Sequence, residues 1–208
     1  MNDEKTFLDR LLEIVAVLLL AVTTLGTAWC GYQASQWSGV QSDDSRTEAG
    51  YRLEGNRQFG LAVQTISYDT NFIAIYAQAV QAGNTGLAQF YRQSLARPEF
   101  LPTLDKWEAE VAAGQAPIPL SQDQTYLDTL RGGYLDAQAK ADASAAAAAE
   151  AGDNAQQYVL NTIVLAVALF FAGVTSSFRY KPARAMLIIL ALATLAFAAS
   201  RVADLPIA

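Results

Sequence analysis

Hydrophobic positions along the chain fall into three long runs, and one long segment of mixed pattern separates the first run from the other two. The runs cover residues 14–32, 158–178 and 185–200, and none of them contains a charged residue. A bilayer core of roughly 30 Å requires about 20 apolar residues in a helix, and a shorter run spans with slight local thinning. The pattern therefore predicts three transmembrane helices.

Lysine and arginine residues beside these runs predict the orientation of the chain. Lys5 and Arg10 precede the first run, and Arg179, Lys181 and Arg184 lie between the second and the third. Short loops with positive charge stay on the cytoplasmic side. We therefore expect 1–13 and 179–184 in the cytoplasm, with 33–157 and 201–208 outside. This topology predicts an inner (plasma) membrane protein whose large domain is periplasmic or extracellular.

Aromatic residues stand at the predicted outer boundary of the membrane. They are Trp29, Tyr32, Trp37 and Tyr158. Because amphipathic rings settle at the headgroup level, these residues predict a membrane-interface belt that fixes helix depth. A ligand groove at the membrane surface is the alternative interpretation.

The N-terminal run has two further interpretations. Gly26-Thr27-Ala28 offers small residues after an apolar core, as a signal-peptide cleavage site does. An uncleaved anchor is favoured, because the run continues into an aromatic interface residue. Cys30, the single cysteine, predicts a free thiol near the membrane surface, with lipidation or an intermolecular disulfide as alternatives.

The segment 33–157 is predicted to be helical throughout. A series of residues repeats at steps of four and three, which places them on one helix face: Phe59, Val63, Ile66, Thr70, Ile73, Ala77 and Val80. We interpret this face as an oligomer seam that buries against a second copy or another membrane protein. The reason is that aromatic residues such as Tyr68, Phe72 and Tyr76 would otherwise lie in water.

Glycine and proline predict how this segment is divided. The first membrane helix continues outside as far as a turn at 83–86, a short helix follows at 87–96, and another runs from Thr103 to Ala113 before Gly114. An extended connector at 116–120 leads to a capping box of Ser121 and Gln124. Gly132-Gly133 marks a kink in the last long helix, which enters the second span. The predicted fold is all-α, with three transmembrane helices and an extracytoplasmic antiparallel helical bundle between the first and second spans.

Composition excludes most familiar enzyme chemistry. The chain has no histidine and one cysteine, so it cannot build common zinc sites, haem ligation or a histidine-based catalytic triad. Residues 30–157 carry 15 acidic and 8 basic side chains, a balance that excludes nucleic acid as a partner. Asp43, Asp44 and Glu48 are close enough for calcium, but Arg46 and Arg52 favour an ion-paired helix face. We predict a protein without enzymatic activity or cofactor, and an enzyme using carboxylates alone is the remote alternative.

Two groups of residues within the runs bear on contacts in the membrane. Ala168, Ala172 and Ser176 have the spacing that permits close helix contact. Thr23, Thr27, Asn161 and Thr162 are polar but neutral, and they would line a pore after oligomerisation. A small oligomeric channel or transport subunit is therefore the alternative function. The absence of charge within the runs disfavours proton-coupled transport.

The run Trp29-Cys30-Gly31-Tyr32-Gln33-Ala34 resembles a motif of small uncharacterised bacterial inner-membrane proteins, the DUF4337 group. The order of one span, a helical segment and two spans is also similar. The resemblance implies localisation and fold, and it transfers no active-site residue. A helical module between two spans also resembles the ligand-binding part of bacterial chemoreceptors, but the short 179–184 loop leaves no room for their cytoplasmic output region.

Overall fold

The computed structural model describes residues 7–178 and 180–208, and every regular element in these ranges is helical. The helices are α1 (Phe7–Gln81), α2 (Thr85–Ser94), α3 (Leu101–Ala112), α4 (Gln124–Val174) and α5 (Lys181–Ala203). Helices α1, α4 and α5 each contain a stretch long and apolar enough to cross a membrane. The all-α class and the three candidate spans are thus confirmed. Lys5 and Arg179, two of the residues used to predict orientation, lie outside the described residues.

Helix α1 is continuous from the first apolar run to the predicted turn. The turn is made by Gly83, whose φ of +69° is a left-handed value that glycine adopts without steric cost. Asn84 then caps α2, because its side-chain oxygen accepts a hydrogen bond from the Leu87 amide at 3.1 Å. The cap explains why α2 begins at Thr85, two residues before the predicted start.

The next two helices begin differently from the prediction. A 3₁₀ turn at Pro98–Phe100 precedes α3, which begins at Leu101 and not at Thr103. The predicted capping box of Ser121 and Gln124 is wrong. Asp123 caps α4 instead, since its Oδ1 accepts from the Tyr126 amide at 3.2 Å. Helix α4 passes through residues 132 and 133 without interruption, and the kink predicted there stays a prediction.

The chain divides into two compact units, described here separately. The middle unit covers residues 47–143, and the span unit comprises the described residues up to 46 and from 144 onward. The middle unit has one apolar core, to which α1, α2, the 3₁₀ turn, α3 and α4 all contribute. Its most buried large side chains include Phe72, Tyr76, Phe100, Leu104 and Tyr126. Phe72 and Tyr76 are therefore covered by the chain itself, and the argument that they need a partner to keep them from water is wrong.

In the span unit, α1, α4 and α5 pack together through two apolar clusters. One cluster joins Leu19, Ala172, Ile188 and Ala191. The other joins Cys30, Ala34, Tyr158, Leu165 and Ala198. The Cys30 thiol is free and buried in this packing. An intermolecular disulfide would require the helices to separate first.

Candidate interaction surface

A buried carboxylate lies at the centre of the middle unit. Asp69 of α1 accepts two hydrogen bonds from Arg97, at 3.0 Å from Nε and 2.7 Å from a terminal nitrogen. The Tyr126 hydroxyl donates a third, also at 2.7 Å. Because a buried charge is tolerated only when it is paired and hydrogen-bonded, these contacts make Asp69 a joint between α1, the segment before α3 and α4.

The contacts with Asp69 shift the pKa of both of its partners. Burial and the hydrogen bond to Asp69 raise the pKa of Tyr126, so its hydroxyl remains a donor at neutral pH. The Asp69 carboxylate likewise raises the pKa of Arg97. Sequence reasoning did not identify this joint. The available signal was spacing: Asp69 precedes Phe72 and Tyr76 by three and seven residues, so it lies on their buried helix face.

Further polar contacts connect the smaller helices to the core. The Tyr76 hydroxyl donates to Glu108 of α3. Arg92 of α2 donates to the same carboxylate at 2.8 Å. Lys106 donates to Asp123 at 2.7 Å, which links α3 to the cap of α4. Each of these contacts joins neighbouring helices and stabilises the packing of the unit.

The predicted oligomer seam is partly used within the chain. Ile66 and Ile73 pack against the core of the middle unit. Phe59 and Val63 remain 58% and 46% exposed, and Val80 is also exposed. The seam as a contact between copies stays a prediction, which now depends on its exposed members.

Phe59 and Val63 border an apolar crevice between α1 and α4. The crevice has a volume of about 130 Å³ and is lined also by Ile66, Leu127 and Tyr134. The Phe59 and Tyr134 rings lie 5.9 Å apart between centroids, within the range of a favourable aromatic pair. We call Phe59, Val63, Ile66, Leu127 and Tyr134 the Phe59 patch. It is an apolar surface with a recess that a side chain from another protein can fill.

The residues of the predicted interface belt are in different environments. Trp29 and Tyr32 are exposed, and their ring centroids lie 6.0 Å apart. Trp37 is half-buried and donates from Nε1 to the Pro206 carbonyl at 3.0 Å. Tyr158 is fully buried and donates to the same carbonyl at 3.1 Å. Tyr158 therefore holds the C-terminal segment in place and does not share the exposed face of Trp29.

Two of the three members of the small-residue series are buried, and the helix contact in the membrane stays a prediction. Ala168 and Ala172 are buried where α4 packs within the span unit. Ser176 is exposed in the 3₁₀ turn that follows α4. Thr175 is buried in its place, because it continues the helical spacing from Ala172 by three residues.

The polar residues proposed for a pore lie largely inside the chain. Thr23 and Asn161 are buried. The Thr23 hydroxyl donates to the Leu19 carbonyl at 2.6 Å, Thr27 donates to the Thr23 carbonyl, and Thr162 donates to a carbonyl of its own helix. A pore between copies needs such groups on the outer surface. Thr23 and Asn161, two of the four residues proposed for a pore, are buried and therefore do not lie on that surface.

Two of the three acidic residues considered for calcium form ion pairs, and they are Asp43 and Glu48. Arg46 contacts Asp43 at 3.1 Å, and Arg52 contacts Glu48 at 2.7 Å. Among the residues that the structure describes, no three or more carboxylate or thiol side chains are grouped as a metal site requires. Both pairs lie along α1, and the pair of Arg46 with Asp43 is largely exposed.

No family model, no curated protein and no solved structure matches the chain. The resemblance of residues 29–34 to the DUF4337 group stays a prediction.

Proposed function

We propose that the chain is an integral protein of the bacterial inner membrane with a cytoplasmic N-terminus. Helices α1, α4 and α5 supply its three spans, and residues 33–157 form an antiparallel helical bundle on the outer side. The apolar stretches of these helices support this proposal. So does the exposure of many large apolar side chains in the span unit, among them Leu25, Phe170, Ile189 and Phe197, because hydrocarbon covers such side chains without cost.

We propose that the middle unit is a protein-interaction module that associates with a second copy of the chain. The observation that carries this proposal is the exposure of Phe59 and Val63 beside an apolar crevice, after the unit has formed its own core. Contiguous apolar surface on a folded unit marks a site of protein contact. The resulting oligomer would be a non-enzymatic membrane assembly.

The buried polar groups of the middle unit support a role without catalysis. The Asp69 carboxylate receives three hydrogen bonds and is completely enclosed. A general acid or base must reach a substrate proton, and Asp69 is enclosed by its own partners. We therefore assign Asp69, Arg97 and Tyr126 to the stability of the module.

The proposal is tested by native mass spectrometry of the full chain in nanodiscs. Phe59→Ser and Val63→Ser remove apolar area from the patch, so both variants should shift the wild-type oligomer towards monomer. Leu61→Ser is the matched control, because Leu61 is 44% exposed, lies between the two residues and faces away from them on α1. The control should keep the wild-type mass.

Three other results would contradict self-association through this patch. The first is a wild-type chain that is monomeric in nanodiscs and in native membranes. The second is an oligomer that Phe59→Ser leaves intact. The third is a different protein that co-purifies with the wild type and is lost from Phe59→Ser, which would assign the patch to an envelope partner.

A further inference from the structure

An apolar slot runs between α1 and α5 in the span unit. Val22, Gly26, Trp29 and Cys30 line it from one face of α1, and α5 contributes residues between Leu195 and Ala203. A Cβ atom at Gly26 would lie 3.4 Å from the Leu165 side chain of α4, so Leu165 lies directly behind this glycine. The slot is therefore bounded by all three candidate spans.

The slot exists because its walls carry small side chains. Gly26, Ala198, Ala199 and Ala203 face it, and its volume is about 400 Å³. From Val22 to Cys30 it extends about 12 Å along the helix, at roughly 1.5 Å per residue. Its long dimension is therefore parallel to the helices that form it.

These dimensions fit one extended hydrocarbon chain. At roughly 30 Å³ for each group of the size of a water molecule, the slot holds about a dozen methylene groups. The volume divided by the length of the slot gives a cross-section of about 33 Å², which is too narrow for an α-helix that is about 10–12 Å across with its side chains. A second copy of the chain would cover the slot without filling it.

The residues that line the slot also favour a hydrocarbon chain as its ligand. None of the described lining residues is charged, and apart from the Cys30 thiol and the Trp29 indole nitrogen the side chains are hydrocarbon. A polar ligand would lose its hydrogen bonds with water there. An empty apolar slot would forfeit the dispersion contacts that a chain supplies.

We propose that this slot binds one acyl chain of a membrane lipid, aligned with α1 and α5. The inference rests on the proposed location of these helices in a bilayer, which supplies the hydrocarbon. The exposed rings of Trp29 and Tyr32 lie at one end of the slot, at the level where lipid headgroups meet the protein.

The test uses the full chain in nanodiscs that contain a small fraction of phosphatidylcholine with a diazirine on its acyl chain. After illumination, mass spectrometry of peptides maps the adducts. We expect adducts concentrated at residues 22–30 and 195–203. Ala199→Phe fills the slot from its open side, so adducts at 22–30 should fall by about tenfold, as expected for loss of a well-packed contact. Ala193→Phe is the control, since Ala193 is exposed on the same helix outside the slot.

Ala203→Leu provides a second slot-filling variant, and circular dichroism verifies the helix content of each protein. Adducts spread evenly over the exposed faces of the spans, or unchanged in both slot variants, would overturn the proposal that the slot binds an acyl chain. The proposed membrane location would remain intact. Labelling of other exposed residues of the spans with none at 22–30 and 195–203 would overturn the acyl-chain proposal in favour of a protein contact that covers the slot. A complete absence of acyl adducts would overturn the membrane location itself.

Discussion

At the residue scale, the middle unit depends on a small number of buried polar contacts. Asp69, Arg97 and Tyr126 satisfy one another inside an apolar core. Removal of one member of a buried pair leaves its partner without compensation, which costs more than the pair itself contributes. These side chains therefore offer the sharpest tests of the packing.

Asp69→Asn should lower the free energy of unfolding of the middle unit by about 3–5 kcal/mol, because it breaks the buried ion pair with Arg97 and leaves that guanidinium only its longer contact with Glu99 at 3.5 Å. Tyr126→Phe removes one hydrogen bond to a charged group, and we expect a loss of about 1–2 kcal/mol. Pulse proteolysis of the full chain in detergent across a urea series measures both. The control is Asp136→Asn, which breaks an exposed ion pair with Lys140. It should change the free energy of unfolding by less than about 0.5 kcal/mol. Equal effects of Asp69→Asn and the control would refute the structural role of the joint.

Asp123 should make the stability of the middle unit depend on pH in the acidic range. The hydrogen bond from Lys106 holds the pKa of this carboxyl below its usual range, assisted by the amide of Tyr126. A group whose folded pKa is depressed contributes its full stability above the unfolded pKa of about 3.9, and loses it as pH falls through the folded value. Asp123→Asn should therefore unfold more readily than the wild type at pH 7 and show a shallower further loss below pH 4. Parallel stability curves for the two proteins from pH 7 to pH 2 would disprove this contribution.

At the element scale, helix ends were predictable where one residue decides them. Gly83 and Gly114 adopt positive φ, and both end a helix as the sequence predicts. The cap of α4 was missed because Ser121 and Gln124 match a common local pattern, whereas Asp123 is selected by an additional contact with Lys106. A local sequence pattern cannot identify a contact between residues that are distant in sequence. The burial of Phe72 and Tyr158 was missed for the same reason, because other helices cover them.

Two glycine substitutions should therefore act in opposite directions. Gly114→Ala places a side chain at a φ of +71° and should destabilise the middle unit by about 1–2 kcal/mol. Gly50→Ala lies within α1 with open space around it, and should stabilise the helix by about 0.5–1 kcal/mol. Urea midpoints of the full chain in detergent compare the two variants. Shifts of the same sign would contradict the assigned helix ends.

At the scale of the whole molecule, the apolar runs predicted the three long helices because each run is longer than an ordinary buried helix requires. The sequence predicted less well which residues of the candidate surface remain exposed. Periodicity correctly placed Phe59 and Val63 on one helix face, but it also included Ile66 and Ile73, which the core of the chain itself covers. Repeats of four and three residues identify a face without identifying its partner.

The most direct test of the proposed topology is cysteine labelling of intact cells with a membrane-impermeant maleimide. The buried Cys30 makes the wild type an unreactive reference. Ser121→Cys lies in the exposed turn before α4, and Tyr180→Cys lies in the exposed segment before α5. We predict that Ser121→Cys reacts in intact cells and that Tyr180→Cys reacts only after permeabilisation. Reaction of both in intact cells, or the reverse pattern, would contradict a membrane protein whose middle unit lies outside.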